Sequence, residues 1–267
     1  MEWIDCHNHL QDPRLMANLD SVLEHARTAG VSRLLCNGSA ESDWEDVLKL
    51  AQAHREVMPS FGLHPWYVHG RSPQWRQRLE TFLDRFPAAV GEIGLDRWIE
   101  TRNEPEQEAV FRDQLRLARR RQLPATIHCL RAWGWLMDVL REEGPFPAGF
   151  VIHAYGGSTE LIKPLAEWGA YFSFAGTVLE TKRERAREAL RQVPADRLLL
   201  ETDAPDLLPP EAFRPHVLRC PEGKPLNEPG NMAAIGRGIA ALRGVPEEQM
   251  AETVWENAGR LFRTVWK

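Results

Sequence analysis

Short apolar runs alternate with longer amphipathic segments along most of this chain. Apolar residues recur at three- and four-residue spacing in the longer segments, which is the period of a helix that buries one face. Such helices are predicted at residues 15–29, with Gly30 as the stop, and at 41–54, 106–121 and 183–192. Eight short runs between the helical segments are predicted to be strands, at residues 3–6, 33–36, 58–61, 88–93, 125–129, 149–153, 170–174 and 198–201.

The alternation of strands and helices predicts βα units around a parallel sheet. Eight such units in 267 residues favour a closed (β/α)8 TIM barrel, an α/β fold that forms one domain over residues 1–267. The alternative is an open doubly wound sheet. No G-x-G-x-x-G follows the first strand to support a dinucleotide-binding half.

A proline-rich stretch at residues 205–229 follows the eighth strand and precedes two closing helices, predicted at 232–243 and 247–265. Connections in α/β units usually take only about 2–6 residues, and long ones are often functional. The stretch is therefore predicted to be a functional loop.

The composition bears more on the expected location of the protein than on the reaction that it catalyses. The chain carries 33 basic and 38 acidic residues, a net charge of −5. This net negative charge gives the protein no overall attraction for nucleic acid or an anionic membrane. A nucleic-acid substrate would therefore require a local basic surface. The four cysteines form no C-x-x-C pair, and the chain begins MEWIDCHNHL without an apolar leader. We expect a cytoplasmic protein with no membrane contact and no evident obligate protein partner.

Residues that can bind metal follow the predicted strands. Parallel strands of a closed barrel bring their carboxyl ends to one face, where barrel enzymes place their active sites. Seven residues of this kind lie there: His7, His9, His64, Glu92, His128, His153 and Asp203. The positions predict one shared site.

His7 and His9 have the period of a strand, so both imidazoles point to the same side, and Asp5 shares that side. Alone this pattern is weak evidence, and two ordinary loop-edge histidines are the alternative. Asp5 is predicted either to bind the ion or to hold a histidine ring in its orientation.

Each of the other donors also has a structural alternative. Glu92 in GEIGLD is costly to bury unless it is paired or metal-bound, and a salt bridge inside the barrel is the alternative. His128 and His153 each end an apolar run and singly are typical of hydrogen-bonded core histidines. Asp203 alone is typical of a turn before Pro205. Without His64, the set of four histidines and two carboxylates suits one or two ions such as zinc, manganese, nickel or iron. Magnesium favours more oxygen ligands.

With the segments IDCHNHL, FGLHPW, GEIGLD, PATIHC, VIHAYGG, ETDAP, GK-x-x-NEP and NAGRLF in this order, the chain resembles the TatD family of metal-dependent deoxyribonucleases, within the amidohydrolase-like barrel superfamily. The resemblance implies two divalent ions: zinc, manganese, nickel or magnesium. It implies that His7, His9 and Asp203 hold one ion, that His128 and His153 hold the other, and that Glu92 bridges them. His64 would contact substrate or a bound water, and Asp203 could take a proton from the attacking water.

The sequence departs from the family pattern in three places. The family's H-x-R after the fifth strand is here His128-Cys129-Leu130-Arg131, so Arg131 can replace the missing arginine only if the backbone shifts. The family's serine after the sixth strand is Gly156. The loop between Asp203 and Asn227 is longer than usual.

Three functions remain open. The leading one is a phosphodiesterase acting on DNA, such as an exonuclease on single strands. The departures favour, as an alternative, hydrolysis of a small non-nucleic-acid ester, lactone or amide on the same barrel. The third is a metal-binding protein without catalysis.

Charged and aromatic residues outside the donor set are candidates for substrate contact. Lys224 in the proline-rich loop is a candidate for binding phosphate. Trp66, Tyr67 and Trp98 could stack on a ring or pack at the barrel rim. Five arginines of one helix are expected to form its solvated outer face rather than a phosphate site: Arg112, Arg116, Arg119, Arg120 and Arg121. His25 and His54 are expected at the surface, and His69 and His216 have no assigned role.

Overall fold

Eight parallel strands form the centre of the fold in this computed structural model, which describes residues 1–100 and 103–266. The strands pair in chain order, each with the next, so the sheet curls into a nearly closed barrel. This confirms the predicted (β/α)8 fold. The strands are β1 (Trp3–Asn8), β2 (Val31–Asn37), β3 (Val57–Phe61), β4 (Ala89–Asp96), β5 (Ala125–Leu130), β6 (Phe150–Ile152), β7 (Ala170–Ala175) and β8 (Leu198–Glu201).

The first and last strands meet through a seam between β1 and the end of β8. The backbone N–H of Asp203 donates to the carbonyl of His7 at 2.9 Å, and that of His9 donates to Ala204 at 2.8 Å. Below them, the buried carboxylate of Asp5 accepts hydrogen bonds from the backbone N–H of Thr202 at 2.9 Å and from its hydroxyl at 2.5 Å. We refer to these bonds as the β1–β8 seam.

The α-helices surround the barrel, and none in the described part of the chain is long and apolar enough to cross a membrane. The helix predicted at 15–29 is two helices, because the chain turns at Ala17 and Asn18. Gly30 follows the second one with φ of 77°, a conformation that glycine adopts without strain. The helices are α1 (Pro13–Met16), α2 (Leu19–Thr28), α3 (Trp44–Ala53), α4 (Trp75–Arg85), α5 (Glu104–Arg121), α6 (Trp133–Glu143), α7 (Ile162–Glu167), α8 (Glu184–Gln192), α9 (Met232–Arg243) and α10 (Glu247–Leu261).

The strands are buried on both faces. Every residue of β1, β4, β7 and β8 is buried, which explains why their sequences read as apolar runs rather than as alternation. One face fills the barrel and the other packs against the helices. Polar residues in these strands are therefore exceptions that need partners.

The loop predicted at 205–229 contains a 3-10 turn at Glu211–Phe213 and a two-stranded hairpin of β9 (Leu218–Arg219) and β10 (Pro225–Leu226). Buried asparagines anchor its far end. Asn227 donates from its amide to the carbonyl of Thr202 at 2.8 Å, and Asn231 donates to the side-chain oxygen of Asn227 at 2.9 Å. The loop is thus fixed to the end of β8.

Candidate metal centre

Glu92 is the hub of the strand-end cluster. It lies in β4, which is buried along its whole length, and its side chain is only 3% exposed. Oxygen Oε2 lies 3.3 Å from Nε2 of His7 and 3.4 Å from Nε2 of His9. Oxygen Oε1 lies 3.1 Å from Nδ1 of His128 and 2.9 Å from Nε2 of His153. The two oxygens therefore face two different pairs of histidines.

Asp203 lies on the His7 and His9 side of this hub. Its Oδ1 is 3.6 Å from Nε2 of His7 and 3.7 Å from Nε2 of His9. Its φ is 54°, a left-handed conformation that aspartate tolerates better than most residues. Donors around one tetrahedral zinc ion lie about 3.3 Å apart, given metal–ligand distances of about 2.0–2.1 Å. The three side chains are spaced close to that value.

Hydrogen bonds fix which ring nitrogens carry protons. Nδ1 of His9 lies 2.8 Å from the carbonyl of Asn37 and must donate to it, so its Nε2 presents a lone pair to the cluster. Nε2 of His128 lies 2.9 Å from Asp96 and donates its proton to that carboxylate in a hydrogen bond. The lone pair on Nδ1 is therefore left to face the cluster. Both rings thus offer the cluster a nitrogen that can bind a cation.

Asp96 is a supporting residue that sequence reasoning missed. It is buried at the end of β4 and accepts hydrogen bonds from His128 and, at 2.7 Å, from the indole N–H of Trp66. Burial opposes ionisation, but these two hydrogen bonds lower the pKa of Asp96 to about 2. Its position as the last residue of GEIGLD was the available signal.

Glu201 supports the sixth strand in the same way. It is fully buried, and Oε1 accepts a hydrogen bond from the backbone N–H of Ala154 at 2.7 Å. That bond holds the turn after β6, where Ala154 has a strained φ of 43°. The same oxygen lies 3.5 Å from Nδ1 of His153. Glu201 is the first residue of the ETDAP segment, in which sequence reasoning assigned a role only to Asp203.

His64 differs from the other histidines of the cluster. Its Nδ1 accepts a hydrogen bond from the backbone N–H of Trp66 at 3.2 Å, so its proton is on Nε2. Nε2 lies 3.4 Å from Oε1 of Glu92 and points a donor at that carboxylate. A ring in this tautomer donates hydrogen bonds into the site, which suits contact with substrate or water better than metal ligation.

The donor set fits divalent cations. Burial lowers the pKa of His7 and that of His64 to about 4, so both rings are neutral near pH 7. Burial also opposes charge on His153, but Glu92 and Glu201 raise its pKa well above the usual value. Positive charge, whether a proton or a metal ion, is thus favoured among these carboxylates. Nitrogen and oxygen donors in this ratio suit zinc and similar ions.

A cavity of about 870 Å³ opens over the cluster. Trp66 and Tyr67 line it with side chains that are about half exposed, at 50% and 47%. Four arginines also line it, namely Arg14, Arg131, Arg183 and Arg185. Sequence reasoning named only Arg131 among these four, because the others come from distant parts of the chain.

Arg131, the candidate replacement for the family's arginine, lines the cavity. Its φ of 55° turns the chain sharply after β5, and its guanidinium stacks on Trp98 at 4.1 Å from the ring centroid. Leu130 lines the same cavity and is 37% exposed. Apolar residues continue that wall at Phe174 and Val178.

Three other groups lie away from the cavity or the cluster. Lys224 is exposed beside the β9–β10 hairpin and lines a separate hollow with Cys220.

Asp5 hydrogen-bonds Thr202 and the backbone N–H of His7, at 3.3 Å, so it supports the β1–β8 seam rather than a ring. Four of the α5 arginines that were expected to form a solvated face are in ion pairs, and Arg112 is only 15% exposed: Arg112, Arg116 and Arg119 pair with Glu143, and Arg121 pairs with Asp84.

The chain is similar to metal-dependent hydrolases over nearly its whole length. Residues 4–263 match the sequence model of the TatD related DNase family. The chain is 30% identical to an uncharacterised metal-dependent hydrolase, YabD, of Bacillus subtilis, covering 97% of this chain and 98% of that protein. It is 34% identical to the 3'-5' ssDNA/RNA exonuclease TatD of Erwinia tasmaniensis, covering 95% and 97%. The crystal structure of the TatD homologue YjjV of Escherichia coli superposes with a TM-score of 0.89 at 28% identity, covering 98% of each chain.

Proposed function

Because this chain belongs to the TatD-related DNase family of metal-dependent hydrolases, we propose that it is a phosphodiesterase that removes nucleotides from single-stranded DNA. Relatives named as deoxyribonucleases and as 3'-5' ssDNA/RNA exonucleases support this substrate class. Cleavage from the 3' end is the direction that the names of the exonucleases suggest.

The proposal depends on how the two carboxylate oxygens of Glu92 are placed. One of its oxygens faces His7 and His9, and the other faces His128 and His153. A carboxylate placed between two pairs of donors is the arrangement that holds two cations side by side. We therefore assign His7, His9 and Asp203 to one ion, His128 and His153 to a second, and Glu92 to both.

Divalent ions held there would supply Lewis-acid stabilisation of the charge that develops on a phosphoryl group, and a water of lowered pKa as nucleophile. The protein's own groups do the rest. Asp203 lies at the mouth of the barrel, at the edge of the cavity, where its carboxylate can orient the attacking water and accept its proton. His64 also lines the cavity, and its Nε2–H, which lies 3.4 Å from Oε1 of Glu92, can donate instead to a phosphate oxygen bound there.

The cavity rim suits a single nucleic-acid strand. Arg131 and Arg185 line the cavity, and neither forms an ion pair among residues 1–100 and 103–266, so their guanidinium groups can meet phosphates. Trp66 and Tyr67 offer exposed rings on which a base can stack. The cavity volume of about 870 Å³ falls within the range of about 300–1,000 Å³ that is typical of small-ligand sites, so one nucleotide can fit there.

One observation favours a second function. Leu130, Phe174 and Val178 give part of the cavity an apolar wall, and Leu130 stands where the family pattern has arginine. An apolar wall suits the leaving group of a small ester or lactone better than a phosphate. Hydrolysis of such an ester is therefore the alternative that an experiment must separate from nuclease activity.

The test starts from protein that has been stripped of metal and reconstituted with manganese, zinc or magnesium. Single-stranded DNA labelled at its 5' or 3' end, the matching duplex, and an aryl ester are then offered separately. Asp203→Asn tests the centre. Asp138→Asn is the matched control, because Asp138 is exposed on α6 and pairs only with Arg141 in the described structure.

The proposal expects the single strand to be shortened from its 3' end by the wild type and by Asp138→Asn. Asp203→Asn should lose at least about 100-fold in rate, as for other groups that act directly in proton transfer. Ester turnover without shortening of DNA would establish the second function instead. Bound metal with no turnover of any substrate would mean that the centre is not catalytic.

A further inference from the structure

A second cluster of metal-binding side chains lies outside the barrel mouth. It joins His25 of α2 to His216 and Glu228 of the loop that follows β8. One ring nitrogen from each histidine and one oxygen of Glu228 lie within 4.8 Å of one another. We propose that these three residues bind a divalent ion of the zinc type, separate from the ions of the strand-end cluster.

The three side chains are already in contact with one another, so an ion could take the place of the hydrogen bond between them. Nδ1 of His25 is 2.8 Å from Oε2 of Glu228. The rings of His25 and His216 are stacked, with centroids 4.2 Å apart and planes 19° apart. Two histidines and one glutamate are a set that binds zinc with one position left open.

Glu228 supplies the second observation. Its side chain is fully buried, yet its Oε1 has no hydrogen-bond partner in the described structure. A buried carboxylate oxygen without a partner carries a large desolvation penalty. A cation between the carboxylate and the two rings would satisfy it.

The surroundings hold the donors in place and leave room for them. The buried Asn231 side chain accepts from the backbone N–H of His216 at 3.0 Å and donates to its carbonyl at 2.9 Å. A Cβ on Gly230 would lie 2.9 Å from the Cβ of His25 and 3.0 Å from Cδ2 of His216. Glycine is therefore what allows the two rings to stack there.

The His216 ring and the access to the trio from solvent also suit a metal. Burial, and then the nearby His25, lower the pKa of His216, which favours the neutral ring that binds metal. The side chain of His25 is 38% exposed, so an ion can enter from solvent. An ion bound there would fasten the loop to α2. The same loop carries Asp206 and Leu207, which line the main cavity.

The test compares zinc content. Full-length protein is stripped with a chelator, given excess zinc chloride, desalted and measured by elemental analysis. His216→Ala removes one donor. His25→Arg keeps a hydrogen bond to Glu228 but has no lone pair for a metal, so it reports even if His216→Ala does not fold. His69→Ala is the control, because His69 is 94% exposed and belongs to no donor trio in the described chain.

Both His216→Ala and His25→Arg should hold one zinc ion per chain fewer than the wild type and His69→Ala. Zinc should also slow proteolysis of the loop at 206–226 in the wild type but not in these two variants. Equal zinc content in all four proteins would overturn the proposal and leave the trio as a hydrogen-bonded clamp. An equal loss in His69→Ala would also overturn it, because the zinc would then be binding to surface histidines in general. Either result is independent of whether the strand-end cluster cleaves DNA.

Discussion

Asp96→Asn tests whether a supporting carboxylate sets the metal affinity of the centre. The carboxylate receives donors on both oxygens. Oδ2 accepts from the ring of His128 at 2.9 Å and from the indole of Trp66 at 2.7 Å. Oδ1 accepts from the backbone N–H groups of Trp98 at 2.5 Å and Ile99 at 3.2 Å.

Asparagine has one side-chain oxygen, so it can accept hydrogen bonds on only one of these two sides. If its NH2 replaces Oδ1, it faces two backbone N–H groups. If it replaces Oδ2, it faces the Trp66 indole and a His128 that must move its proton from Nε2 to Nδ1. That proton would then block the nitrogen that faces Glu92 and His153. Neither orientation leaves the centre as it was.

The expected loss follows from the bonds that are broken. A hydrogen bond to a charged group contributes about 1.5–3 kcal/mol, and losing one corresponds to at least about tenfold. Partners that orient a metal-binding histidine typically change affinity or activity by about 10- to 100-fold. We therefore expect Asp96→Asn to weaken binding of manganese or zinc by that factor.

The measurement is a metal titration of stripped protein, followed by activity at limiting and at excess metal. The variant should recover much of its activity when metal is in excess, since the other donors are intact. Asp138→Asn controls for the loss of a surface charge. A metal dissociation constant within twofold of the wild-type value would refute the role assigned to Asp96.

Three further changes test other parts of the structure. Glu92→Ala should lower bound metal by at least one ion per chain, and unchanged content in elemental analysis would refute its bridging role. Arg131→Ala should weaken binding to single-stranded DNA and reduce the salt slope by about 0.7, as for one lost phosphate contact. Arg116→Ala, on the ion-paired outer face of α5, should change neither quantity, and equal behaviour of the two variants would refute the assignment of Arg131. Thr202→Val should destabilise the fold by about 1–3 kcal/mol because it removes the hydroxyl that donates to buried Asp5. The midpoint temperature of thermal unfolding should then fall by about 2–12 °C. An unchanged midpoint would count against a supporting role for the seam.

The strands and the main donor residues could be predicted from the sequence because both follow from local patterns. Buried parallel strands appear as short apolar runs, so a histidine or carboxylate that ends such a run is easily seen. Glu92 and His153 were found in this way. The predicted bounds differ from the observed ones by a few residues, as at β6, where His153 lies just beyond the strand.

The supporting residues could not be assigned in the same way. Asp96 and Glu201 also end strands, but their function depends on which ring they face, and that is set by neighbouring strands. Arg183 and Arg185 reach the cavity only because α8 follows the turn after β7. His25 and His216 are distant in the chain and meet through the folding of a loop whose path the sequence does not reveal.

The β1–β8 seam determines when the centre can be completed during synthesis. Half of the Glu92 hub is built across it, from His7 and His9 near the start of the chain and from Asp203 far along it. At about 5–20 residues per second, a ribosome adds Asp203 roughly 10–40 s after His7. Until then His7 and His9 lack Asp203, and the barrel lacks its last strand, β8. On the proposed assignment of ligands, full metal loading therefore belongs to the end of translation or later, and a chain cut short before β8 cannot form the complete cluster.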